Sequence, residues 1–299
     1  MMMNFGSLAG DLLMKKSENM DEFNFFEIEP DSIFLGNNKG SQMYVQEQPM
    51  HEVKFQSKFK ISDCITKEQW AKIMSGDENI DFTLDKYKQP ADGVSSNDID
   101  LFIEKLNEIN GKKKGTYRLP SEAEWELSYS KLGEKFVMPI QGEIIADSPF
   151  PSYWGAPCDG RPRIDYSRSQ ESQFKITKKP HLIKTKKPVR GVIRVDEGQE
   201  NVGFRVVWRK EKINEKEGVN LPNEPNKIPL LKRELIFFLI LGAIPSSLIA
   251  GYNNYEYLKD SFLSVLLGGF FFSLITSFIW RPKRPIWIFD SETNEMIQR

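Results

Sequence analysis

Two nearly uncharged stretches, 235–252 and 261–280, constrain the fold of this chain more than any other feature. As α-helices, each is long enough to cross a hydrocarbon core of roughly 30 Å, and neither has the polar face of a helix resting on a soluble domain. Inside lipid a segment must satisfy its own backbone, so the region 230–284 reads as a transmembrane helical hairpin. Lys232 and Arg233 precede the first stretch, and Arg281, Lys283 and Arg284 follow the second. The intervening loop carries only Lys259 against Glu256 and Asp260, and the positive-inside rule then places both ends in the cytosol. Ser246 and Ala250 on the first span, with Gly268 and Gly269 on the second, are the candidate helix-packing residues, because small side chains let helix backbones approach. Pro245 is expected to kink the first span.

The rest of the chain is organised around Tyr117-Arg118-Leu119-Pro120-Ser121-Glu122-Ala123-Glu124-Trp125-Glu126. Pro120 suits the turn into a helix, and Ser121 with Glu124 forms a capping box in which hydroxyl and carboxylate each satisfy an orphan backbone N–H. Trp125 and Tyr129 share one stripe of that helix, a spacing typical of core or groove lining. Thr66 with Gln69 is a second capping box. Ser95 or Ser96 opens an amphipathic helix on Ile99, Phe102, Ile103, Leu106 and Ile109, ended by Gly111. Strands are expected across 23–36, at Val53-Lys54-Phe55 and Phe59-Lys60-Ile61, and at Gly203-Phe204-Arg205-Val206-Val207-Trp208, which closes the domain. The region 138–194 is punctuated by prolines and reads as loop, with a basic face between Arg161 and Arg194.

The stretch from Tyr117 to Glu126 resembles the hallmark of the formylglycine-generating enzyme (sulfatase-modifying factor) family. Glu47-Gln48-Pro49, Tyr153-Trp154-Gly155, Val189-Arg190-Gly191 and Gly203-Phe204-Arg205-Val206 agree with it in order. The resemblance covers roughly 23–209 and implies an α/β (α+β) domain related to C-type lectins, with much irregular structure. It makes Trp125, Tyr129, Trp154, Arg190 and Arg205 the candidate recognition or groove residues. Around this domain the expected organisation is an N-terminal arm at 1–22, a polar linker at 210–229, the hairpin at 230–284 and a cytosolic tail at 285–299. The start of the chain lacks the basic and continuous apolar regions of a secretory signal.

The same resemblance exposes a gap in the chemistry. Enzymes of that family oxidise a substrate cysteine with copper held by two cysteines just before the Gly-Phe-Arg element, and the matching stretch 190–201 contains no Cys. The family's calcium-binding Gly-Asn-Val-Trp-Glu-Trp stretch has no counterpart, and Ser96 stands where the family has a Trp. Cys64 and Cys158 are far apart in sequence, and only His51 and His181 supply imidazole, so no cofactor or metal is expected. A net charge of −1 argues against bulk nucleic acid as partner. Three functions remain open. The first is a membrane-anchored noncatalytic module in a bacterial-type inner membrane, sensing a protein, peptide or small ligand and coupled to a hairpin that forms a homo-oligomer. The others are a membrane-permeabilising effector of a defence or self-killing system, and a divergent oxidoreductase.

Overall fold

The computed structural model describes residues 23–75, 85–110, 115–167, 173–181, 187–210 and 218–299. The expected arm and the cap assigned to Gly111 lie outside the described residues. In chain order the strands are β1 (Phe25–Ile28), β2 (Ser32–Leu35), β3 (His51–Lys54), β4 (Phe59–Ser62), β5 (Thr116–Arg118), β6 (Gly142–Ile144), β7 (Phe174–Lys179), β8 (Val189–Arg194), β9 (Val202–Phe204), β10 (Val207–Arg209), β11 (Trp287–Asp290) and β12 (Glu295–Gln298). The helices are α1 (Lys67–Ser75), α2 (Ser96–Asn110), α3 (Glu122–Leu132), α4 (Lys227–Phe237), α5 (Ile244–Asn253), α6 (Tyr255–Asp260) and α7 (Phe262–Ile279). This mixed α/β chain divides into two compact units, one from Met1–Ile33, Val53–Phe150 and Pro157–Val219, the other from Phe34–Glu52, Pro151–Ala156 and Asn220–Arg299.

In the first unit, one antiparallel sheet has the order β1-β4-β10-β5, and a second has the order β8-β7-β6-β9 with β6 and β9 parallel. The two capping boxes form as the sequence dictates. Gln69 N donates to Thr66 Oγ1 at 3.2 Å and Thr66 N to Gln69 Oε1 at 3.0 Å, while Glu124 N donates to Ser121 Oγ and Ser121 N to the Glu124 carboxylate. Ser95, not Ser96, caps α2, through Asp98 N at 3.2 Å. The apolar stripe of α2 enters the core, where Phe102 stacks on Trp70 at 5.2 Å and Phe204 meets both rings edge-on.

The 138–194 region is more regular than its prolines imply: β6, β7 and β8 lie within it, and β7 pairs with β8 from Phe174↔Arg194 to Lys179↔Val189. The expected closing strand is two strands in two sheets. β9 pairs with β6 and β10 pairs with β4 and β5, because the chain breaks at Arg205 and Val206, where the Arg205 guanidinium turns inward.

In the second unit, the tail supplies two strands to a sheet of order β12-β11-β3-β2, with Trp287 in parallel register with His51. Cutting the chain at Arg209 would therefore remove β11 from one edge of β3 and leave it β2 on the other. The first long apolar helix starts inside the expected linker, capped where Ile228 N donates to Asn226 Oδ1, and runs over Lys227–Asn253. It meets Pro245 with a π-helical turn over Phe238–Ala243, ended by Ile244 N donating to Leu239 O. The loop between the apolar helices is itself a short helix, α6, capped by Asn254.

These two helices touch backbone to backbone. A Cβ on Gly242 would lie 2.3 Å from Gly269 O, and one on Gly269 would lie 2.7 Å from Ser246 Oγ and 2.8 Å from Gly242 O. Gly269 and Ser246 are thus packing residues, whereas a Cβ on Gly268 would meet nothing within 4 Å and Ala250 is only half-buried. Gly242, absent from the sequence expectation, is the true partner of Gly269, and its Gly-x-x-x-Ser spacing to Ser246 is the signal that marks it. Gly269→Leu should destabilise the full chain in detergent by about 1–3 kcal/mol or more, since the backbones must separate. Gly268→Leu should leave the midpoint of thermal unfolding near that of the wild type; equal effects would show that the crossing lies elsewhere.

Candidate functional site

The hallmark helix α3 carries its three glutamates and Trp125 into the interior of the first unit, where they engage strands of both sheets. Glu124, fully buried, accepts from Arg118 Nη1 and Nη2 of β5 at 2.7 Å and from Arg209 Nε of β10 at 2.8 Å. Burial would raise its carboxyl, but the Arg118 and Arg209 charges together outweigh it and hold the group below the ordinary 4.5. Two residues to either side, Glu122 accepts from Lys178 of β7 at 2.9 Å and Glu126 pairs with the same lysine at 2.5 Å, and Arg190 of β8 reaches Glu122 at 3.2 Å. Burial opposes the charge on Lys178, and the two carboxylates overcome it, keeping the ammonium protonated.

Trp125 donates its indole N–H to Glu143 of β6 at 2.7 Å and stacks on Tyr129 at 5.4 Å. Arg205 donates from Nε and Nη2 to the same carboxylate at 2.7 and 2.5 Å, reaches the carbonyls of Ser62 and Val137, and lies 3.6 Å over the Phe136 ring. Trp125 and Arg205 are fully buried and present no surface to a partner, so their expected place in a recognition groove becomes a place in the core. Tyr129 is half-buried at the edge of that cluster, and Arg190 is partly exposed beside Glu122. Trp154 belongs to the second unit and meets Trp287 edge-on at 5.7 Å. Glu143 and Lys178, which complete the network, carry no local sequence signal. They sit on short strands whose pairing only the fold supplies. The expected basic face is partly spent inside as well, since Lys178 and Arg161 are buried against carboxylates.

Asp147 accepts N–H groups from Glu122 and Arg163 at 2.8 and 2.9 Å, and burial, with the Glu122 carboxylate beside it, pushes its carboxyl up to about 6. Cys64 lies under Gly203 and its thiol donates to Phe204 O at 3.3 Å. Burial, then the Glu143 charge, pushes that thiol far above its ordinary value. A Cu(I) site needs two thiolates. Cys64 is held as a protonated thiol and Cys158 is buried and in no disulfide, so these residues do not fit the copper of the resembled enzymes. Among the described residues no group of three or more His, Cys, Asp or Glu is placed to hold a metal ion. Ser96, where the family has its Trp, is fully buried and its hydroxyl has no hydrogen-bond partner among the described residues.

Two measurements check these assignments. Glu124→Gln keeps the shape and a competent capping residue but leaves two arginines around a neutral amide, and should cost about 3–5 kcal/mol in denaturant titration of the full chain. Because the Glu124 carboxyl is lowered in the folded state, its contribution is complete above the unfolded value and is lost as pH falls through the folded one. The variant should therefore lose part of the acid-side fall in stability. Cys64 should react with a neutral alkylating agent at pH 7.5 only after unfolding; labelling of the native protein at the rate of a free thiol would refute its protonated, enclosed state.

Solved structures that resemble this chain include the following three. PvdO from Pseudomonas aeruginosa matches at 17% identity and a TM-score of 0.48, covering 62% of this chain and 93% of that one. Treponema denticola variable protein 1 matches at 16% and 0.42, covering 62% and 95%, and CarF at 13% and 0.38, covering 62% and 98%. No curated protein matches the chain. The model of the sulfatase-modifying factor enzyme 1-like domain matches residues 13–180, more than half of the 299-residue chain and the part that contains the capping box and glutamates of α3. The chain belongs to the sulfatase-modifying factor enzyme 1-like family.

Proposed function

We propose that this protein is a membrane-anchored, noncatalytic member of its family, in which the family domain binds a protein, peptide or small ligand in the cytosol and the apolar helix pair crosses the bilayer twice. The observation that carries the membrane reading is the outward face of that pair. Leu248 is 68% exposed, Leu263 71% and Ile275 60%, around helices long and apolar enough to span, a distribution that costs free energy in water and none in lipid. The reading of the domain as noncatalytic rests on the absent thiolate pair and on the buried, ion-paired glutamates of α3. Glu234 and Arg281 support a fixed hairpin base: Arg281, 6% exposed, donates to the Glu234 carboxylate at 3.1 Å and to Ser273 O at 2.9 Å, tying the start of one helix to the end of the other.

Alkaline carbonate extraction of membranes from expressing cells tests the anchor, together with single-cysteine labelling in the 253–260 segment. Retention in the pellet, with that segment labelled only from the outside, is expected. Release into the supernatant would end the membrane reading. Collapse of the membrane potential on expression would favour a permeabilising effector over a binding module.

A further inference from the structure

The second unit contains a cavity of about 540 Å³ whose walls include Trp154, Trp287, Arg233, Lys283, Arg284 and Gln48, with prolines between them. Its basic groups are poorly spent. Arg233 Nε and Nη2 and Arg284 Nε are buried without a hydrogen-bond partner among the described residues, as is the amide oxygen of Gln48. The carboxylate nearest Arg233 is Glu234, at 3.7 Å from Nη2, a distance that gives an electrostatic contact and no hydrogen bond. The other Glu234 oxygen is taken by Arg281. Glu224 also lines the cavity, but its side chain is 71% exposed and paired with Lys227. Burial and then the charge of Arg233 make the protonated form of Arg284 less favourable than in water. An uncharged acceptor can take up hydrogen bonds from two neighbouring guanidinium groups, but only an anion also offsets the repulsion between them.

We propose that this cavity is a binding site for a phosphate-bearing anion, held between the forks of Arg233 and Arg284 with Lys283 beside them and its apolar or ring portion against Trp154 and Trp287. Guanidinium groups match phosphate oxygens through paired N–H donors, and an anion at this point offsets the repulsion between the two arginines. The phosphate could be supplied by an anionic lipid headgroup or by a soluble phosphoester, and the assignment does not depend on whether the apolar helices span a membrane.

The test uses the full chain in detergent, with inorganic phosphate as one probe and phosphatidylglycerol vesicles as the other, against chloride and phosphatidylcholine vesicles. The expected result is a saturable rise in the midpoint of thermal unfolding with phosphate for a soluble source, or with phosphatidylglycerol alone for a lipid source. Arg233→Gln and Arg284→Gln should each weaken that response about tenfold or more, Arg284→Lys should weaken it less, and Lys227→Gln should not change it. Without either probe, Arg284→Gln should unfold no earlier than the wild type, because it removes a like charge; a purely structural arginine would give the opposite. The proposal is overturned if neither probe shifts the midpoint, or if both glutamine variants respond as the wild type does.

Discussion

A carboxylate stripped of water cannot remain charged unless the protein surrounds it with compensating groups, and Glu124 is in that position. Its two oxygens take up Arg118 from one strand, Arg209 from another and the backbone N–H that opens its own helix. The same helix sends Glu122 and Glu126 to Lys178, and Trp125 to the Glu143–Arg205 pair. Both sheets of the first unit are thereby fastened to one helix by groups whose separation would leave bare charge in the interior. Such contacts contribute little net free energy relative to an apolar core, but they tolerate no alternative register. That accounts for how strands of three residues, β5, β6, β9 and β10, hold their pairing.

The second unit reaches definition by the opposite route. Its two long helices carry almost no polar side chains through their middle, so their contact is fixed by the absence of side chains at Gly242 and Gly269. Close backbone approach there is a matter of dispersion and shape. At the base, a charged side chain joins the two helices, where Arg281 bridges to Glu234 and to the last turns of α7. The π-helical turn before Pro245 changes the helical register where the proline ring would otherwise strain a regular ladder.

The family's fold and its copper chemistry draw on different residues, and this chain separates them. The hallmark segment forms a capping box and a buried ion network, and both persist without a thiolate pair. A stretch that looks like an enzyme's signature here builds a capping box and an ion network, and its presence alone carries no argument for oxidation. Cys64 illustrates the point: a helix start lies beside it in sequence, but in the fold it sits against Phe204 O and near Glu143, surroundings that favour the thiol over the thiolate.

Local chemistry was legible in the sequence. The capping boxes at Thr66 and Ser121, the amphipathic stripe of α2, the two apolar helices and the missing cysteines all follow from residue type and spacing over fewer than about twenty positions, the range over which helix periodicity and capping operate. The family resemblance likewise identified the family, whose model matches residues 13–180, and Gly269, singled out for its size, lies against Gly242 in the fold. Partners distant in the chain were not legible. Glu143 for Arg205, Lys178 for Glu122, Gly242 in place of Gly268, the division of one expected strand into β9 and β10, and the recruitment of the C-terminal hairpin beside His51 depend on which segments the fold brings together. A charged or small residue has the same local preferences whether it faces water or a partner 60 positions away, so tertiary structure alone decided which charges were buried, which glycine touched its neighbour and which arginines were left with donors to spare.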